Sequence, residues 1–123
     1  MRIFKTAYFH RLAEYEGLSD QEIVDIVEEM ERGLHNGDLG GNVFKKRIAI
    51  GGRGKRGGLR SIVAYKKGDK AIFIYGYAKN VRDNISSKEK EAFKKLSKSY
   101  FYMDDVSLKR LLKKGELIEV KDE

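Results

Sequence analysis

Between residues 43 and 77 three β-rich runs follow one another, VFKKRIAI, LRSIVAYK and AIFIYGY, and only GGRGKRGG and KGDK separate them. A parallel crossover needs about a dozen residues or more, so connections this short leave antiparallel pairing as the available arrangement. The Gly-Asp of KGDK is a hairpin turn, and AIFIYGY is the most β-like run of the chain. Whatever surrounds this meander must pack on it.

The flanks read mainly as helix. RIFK, at residues 2–5, is a short strand candidate, and AYFHRLAEYEG predicts a helix closed by Gly17. Ser19-Asp20-Gln21-Glu22 has the form of a capping box, and Ile23, Ile26, Val27, Met30 and Leu34 follow at helical spacing, which predicts an amphipathic helix of about four turns. HNGDLGGN is a turn-rich break. Beyond the meander, Ser86 or Ser87 caps SKEKEAFKKLSKSYFYM, Asp104 or Asp105 caps VSLKRLLKKG up to Gly115, and ELIEV supplies a possible edge strand. The expectation is one α+β domain over 1–123: a small antiparallel meander of three to four strands packed against N-terminal and C-terminal helices.

Charge narrows the function. The 123 residues carry +7 overall, and ten cations against the single acid Asp69 fall between Lys45 and Lys70, which puts +9 in that block and −2 in the remainder. The acids are expected on the helices and the cations on the sheet. A concentrated block of this kind suits a polyanion. The chain has no cysteine, which removes disulfides and thiolate zinc sites and fits a reducing cytoplasm. It shows no apolar h-region at its start and no apolar run long enough to span a bilayer, so a cytoplasmic location and no membrane partner are expected.

The glycine segment matches G-x-G-x-x-G at Gly52–Gly57, but it runs into a strand, whereas a dinucleotide fingerprint runs into a helix. A P-loop fails because Arg56 follows Lys55 where serine or threonine is needed. A kinase-type loop fails on the size of the chain, and a flexible linker is not normally loaded with arginine. What remains is a hairpin that offers backbone N–H groups and guanidinium groups to phosphates. His10 and His35 are isolated and make poor metal ligands, Asp104-Asp105 is a helix cap, and Tyr75 and Tyr77 alternate as one face of a sheet packed on a helix.

The run DLGGNVFKKRIAIGGRGKRGGLRSIVAYKKGDKAIFIYGYAKNVRDNISSKE, with KTAYFHRLAEYEGLSDQEIVDIVEEMERGL before it and KKGELIEV after it, resembles the RelE/HigB-like toxins of bacterial type II toxin–antitoxin systems, within the RelE/ParE superfamily. The resemblance implies a RelE-like fold and a ribosome-dependent messenger-RNA endoribonuclease, an mRNA interferase that inhibits translation without metal or other cofactor. In that chemistry the ribose 2′-hydroxyl attacks the adjacent phosphate in line, so the protein has to shape the RNA, stabilise the charge that develops and move protons.

By resemblance, Arg60 matches the arginine at the scissile phosphate, and Lys55 and Lys79 complete the catalytic candidates. Arg53 and Arg56 match the accompanying loop cations, and Lys45, Lys46 and Arg47 are candidates for the RNA backbone. Lys79-Asn80 stands where the ribonuclease toxins carry two cations, and Arg82 is placed to compensate. The tyrosine or histidine that such toxins place after this pair is missing, since the segment reads NVRDNISS. Lys55 or Lys79, crowded by cations, is then the candidate base. The resemblance also admits a ParE-like inhibitor of DNA gyrase, and the charge alone admits a plain RNA-binding module. Either toxin reading implies a cognate antitoxin, an acidic or helix-turn-helix protein drawn to the basic block.

Overall fold

A computed structural model describes residues 1–50 and 58–121, and in it the three central runs form the expected meander. Strands β3 (Val43–Ile48), β4 (Leu59–Tyr65) and β5 (Lys70–Ala78) pair antiparallel, with Ile48 opposite Leu59 and Tyr65 opposite Ala71. The sheet is larger than the sequence predicts and it is mixed. Strand β1 (Arg2–Thr6) lies parallel to β5, β6 (Leu117–Glu119) lies antiparallel to β1, and β2 (Gly37–Gly40) forms a hairpin with β3. The order is β2-β3-β4-β5-β1-β6.

Both corrections have physical causes. Ile3, Phe4 and Lys5 are all buried, so β1 has apolar cover on both faces and belongs inside a sheet. The chain between β1 and β5 is long enough for a parallel return. At β2 the turn-type residues do turn the chain, with positive φ at Gly40, Gly41 and Asn42, yet GDLG before them still supplies backbone hydrogen bonds to β3. An edge strand can be built from residues of low strand propensity.

Helices α1 (Ala7–Glu16) and α2 (Asp20–Glu31) cover one face, and α3 (Ser87–Tyr102) and α4 (Asp105–Lys114) cover the other. Their ends follow the expected signals. Gly17 and Gly115 close α1 and α4 in the left-handed conformation, Ser19 and Ser86 each form a complete capping box, and Asp104 accepts from the Ser107 amide. Helix α2 buries Ile23, Val24, Ile26, Val27 and Met30, but it stops at Glu31 before a positive-φ Gly33, and Leu34 is 52% exposed. It is therefore about a turn shorter than its apolar spacing predicts.

Two cores result, one on each side of the sheet. Phe9, Ile23, Val27, Leu59, Val63 and Phe73 pack beneath α1 and α2, and Phe4, Ala64, Ile72, Ile74, Tyr100 and Leu108 pack beneath α3 and α4. A register shift in β5 opposite Ile62 and Val63 makes Ile74 an extra residue. Bulges re-aim the side chains that follow them. Phe73 faces α1, whereas Tyr75 stacks on Phe93 of α3 with ring centroids 5.6 Å apart, and Tyr77 follows on that same side. Between them Gly76 faces α1, where an added Cβ would stand 2.8 Å from Leu12 Cδ2 and 3.1 Å from Phe9 Cε2. Among the described residues no helix is long and apolar enough to cross a membrane.

Candidate functional site

Register sets the site. Arg47 of β3 stands opposite Arg60 of β4, and Arg60 stands opposite Tyr77 of β5, so the three form one row across three strands. Adjacent strands are about 4.8 Å apart, which brings two guanidinium groups and a phenol within reach of one phosphate. Lys45 lies two residues before Arg47 on the same strand face, and Lys79 follows the end of β5. The row, both lysines and the polar side chains of Asn36, Asp83 and Asn84 line a cleft of about 190 Å³.

Asparagines frame it. Asn84 Oδ1 accepts from Lys45 Nζ at 2.8 Å and from the Ile85 amide, while Asn36 Oδ1 accepts from the Arg47 amide at 2.7 Å. The loop after β5 is held from beneath by Arg82. Its guanidinium donates to both Glu89 oxygens, at 2.6 and 3.0 Å, to the Asn84 carbonyl and to the Tyr75 hydroxyl. The hydrogen bonds from Arg82, and those from the capping box at Ser86, hold the Glu89 carboxyl down to about 2, and the Arg82 guanidinium is raised in turn. Glu89 thus joins the loop to the first turn of α3.

Tyr77 is the group that sequence reasoning left in the packing. Only 6% of it is exposed, it lies beside Tyr75 with centroids 6.0 Å apart, and Arg82 sits over its ring at 5.6 Å. Burial pushes its phenol above the ordinary value of 10; Arg60 and Arg82 pull the other way, and Asp83 adds to the rise. The phenol is therefore protonated at neutral pH and is chemically a proton donor. Its signal in the sequence was its distance from Lys79, masked by a bulge that no local pattern announces.

The other sequence candidates take different places. Lys46 contributes to the cleft lining, but its ammonium is buried and directed to α2, 2.6 Å from Glu29 Oε1 and 2.8 Å from the Leu34 carbonyl. Asn80 is exposed in the turn after β5, outside the cleft lining. Arg82 flanks the cleft with its donors directed to protein acceptors. Arg53, Lys55 and Arg56 lie outside the described residues. The strand ends on either side of that segment, Ile48 and Leu59, pair one register position beyond Arg47 and Arg60. At the re-entry, any side chain on Gly58 would overlap the Ile48 carbonyl.

The remaining singled-out groups have local partners. His10 Nε2 is 2.8 Å from Glu14, and the His35 ring packs on Phe44. The helices are not acidic as a class: α2 carries six acids and no Lys or Arg, but α3 carries five lysines against two glutamates. Charge is sorted by sheet face instead.

A family model described as the RelE toxin of the RelE/RelB toxin–antitoxin system matches residues 1–120. No curated protein matches the chain.

Proposed function

The chain belongs to the RelE toxin family, so it is the toxin of a toxin–antitoxin system with an antitoxin as its partner, and from that premise we propose that it is a ribosome-dependent endoribonuclease acting on translated messenger RNA. The observation that carries the reading is the row Arg47, Arg60 and Tyr77, which joins two guanidinium groups to a protonated phenol in one cleft.

In this reading the scissile phosphate sits over Arg60. Arg47 and Lys45 hold the neighbouring backbone, and charge that develops on the phosphate as the 2′-hydroxyl attacks is met by guanidinium donors already in place. The 2′-hydroxyl proton is assigned to Lys79, which takes it in the uncharged amine form and becomes an ammonium. Tyr77 gives its proton to the leaving 5′-oxygen. The P–O bond to that oxygen breaks as the bond from the 2′-oxygen forms, leaving a 2′,3′-cyclic phosphate and a free 5′-hydroxyl. Asn84 and Arg82 keep the loop that carries Lys79 against the sheet. Lys55, from the neighbouring segment, is the further cation assigned to the phosphate.

Controlled expression in cells tests this, with protein synthesis, message integrity and the DNA-damage response followed together. The expected result is loss of translation with cuts inside translated messages, and intact messages with Arg60→Ala at equal protein levels. Intact messages accompanied by a DNA-damage response would overturn the nuclease reading in favour of gyrase. Binding to RNA without cleavage or toxicity would leave only an RNA-binding module.

A further inference from the structure

A larger depression lies at the other end of the strands, on the same sheet face as Arg60. It has a volume of about 560 Å³ and is walled by the second half of α3, by Gly41 and Asn42 of the β2–β3 turn and by Lys66 beyond β4. The turn is pinned to the helix, since Ser97 Oγ donates to the Gly41 carbonyl at 2.8 Å. Four lysines, Lys66, Lys94, Lys95 and Lys98, meet one carboxylate, Glu91, which pairs with Lys94 at 3.5 Å. At the end of the row stand Phe101 and Tyr102, and Tyr102 is 81% exposed.

We propose that this groove binds single-stranded RNA, taking the strand that continues beyond the cleft; the proposal rests on the nuclease reading above. Lysines one helical turn apart, about 6 Å along the axis, place successive ammonium groups along a polyanionic strand. An exposed ring at the end of such a row gives a base a face to stack on, the combination by which single strands are held without sequence preference. Continuity also favours RNA. Helix α3 reaches from the Glu89–Arg82 bonds beside the cleft to Tyr102 beside the groove, so one strand can run along it from Arg60. A scissile phosphate needs only the cleft, and the groove supplies grip on the remainder.

The test is binding of 2′-O-methyl RNA, which cannot be cleaved by 2′-hydroxyl attack, as a 5-mer and a 15-mer by fluorescence anisotropy over a range of salt. Lys95→Glu with Lys98→Glu should weaken the 15-mer at least tenfold and leave the 5-mer within about twofold. The slope of log affinity against log salt should become shallower by about 1.4, or 0.7 for each lost phosphate contact. Tyr102→Ala should weaken the 15-mer at unchanged slope. Lys95→Gln with Lys98→Gln, which removes charge without reversing it, should give the same slope change if the reversed pair is found misfolded by circular dichroism. Lys109→Glu with Lys113→Glu on α4, equal in charge change, should leave both affinities within about twofold.

Unchanged affinity and slope in both Lys95/Lys98 variants would overturn the groove alone. Equal losses from the α4 pair would overturn it too, because net charge would then explain the effect. Retained RNA affinity with release of the co-purified antitoxin would assign the groove to protein. No RNA binding by the unaltered chain would overturn the groove, whereas RNA binding without cleavage of messages on programmed ribosomes would overturn the nuclease reading only.

Discussion

Replacing Tyr77 by phenylalanine removes one oxygen and leaves the ring. The ring keeps its contact with Tyr75 and its place beneath Arg82, and among the described residues no group hydrogen-bonds the hydroxyl, so the fold should lose less than about 0.5 kcal/mol. Catalysis has more to lose. A positioned general acid contributes about 10²- to 10⁴-fold, which at 1.36 kcal/mol per decade is roughly 3–5 kcal/mol of barrier. The assay is single-turnover cleavage of a message on programmed ribosomes by purified toxin. Tyr77→Phe should be slower by at least 100-fold at unchanged melting temperature. A substrate whose 5′-bridging oxygen is replaced by sulfur has a leaving group that needs no proton, and on it the two proteins should differ by less than about fivefold. Because burial raises the folded phenol above its ordinary 10, its contribution is present throughout the neutral range and is lost only at a pH above 10. A Tyr77→Phe rate within threefold of the original on ordinary RNA refutes the assignment, as does an equal loss on both substrates.

Other perturbations test the frame. Asp20→Ala leaves the ammonium of Lys5, a residue only 4% exposed, without its carboxylate at 2.9 Å; because Asp20 is itself 34% exposed, the cost should be about 2–3 kcal/mol rather than the 3–5 of a fully buried pair. That is a fall in Tm of roughly 8–12 °C for a chain of this length, and Lys5→Met in the same background should recover more than half of it by calorimetry. Gly76→Ala forces a methyl group against Leu12 and Phe9 and should cost about 1–3 kcal/mol in urea unfolding, with a larger loss of cleavage because the strand carrying Tyr77 must shift. Glu89 has a folded value of about 2, below its ordinary 4.5, so the stability it adds is complete above about pH 4.5 and disappears as pH falls toward 2. Urea midpoints between pH 2 and 6 should show that component in the original and lack it in Glu89→Gln.

Local signals carried the hairpins and the caps. The β3–β4–β5 meander followed from short connections, and Ser19, Ser86, Asp104, Gly17 and Gly115 ended helices through bonds within a few residues of themselves. Pairing of β1 with β5 joins residues more than sixty apart, and nothing near Ile3 or Ala71 names the other. The run Lys45-Lys46-Arg47 shows three cations that all line the cleft, but only the placement of α2 tells that the ammonium of the middle one is taken by Glu29 while that of Lys45 meets Asn84. Tyr77 was hidden by the extra residue at Ile74, since strict alternation from Phe73 sends it toward α1. Arg82 read as a spare cation because its partner, Glu89, lies across a loop and inside a helix cap. Groups on a common strand or helix end were visible; groups joined only by register or layer were not.

The position of β1 between β5 and β6 has a consequence in time. During synthesis the first strand leaves the ribosome early, but one of its ladder partners begins at Lys70 and the other at Leu117. At about 5–20 residues per second, the 111 positions from Thr6 to Leu117 take roughly 6–22 s to make. Until then the edge of β1 that β6 will cover is open to any passing strand. The rows that form the cleft can assemble once β5 is complete, so the basic surface precedes the finished sheet. A newborn toxin therefore passes through an interval in which it is already charged for its target but not yet closed against misassembly, and an antitoxin that engages it then would act as a folding partner before acting as an inhibitor.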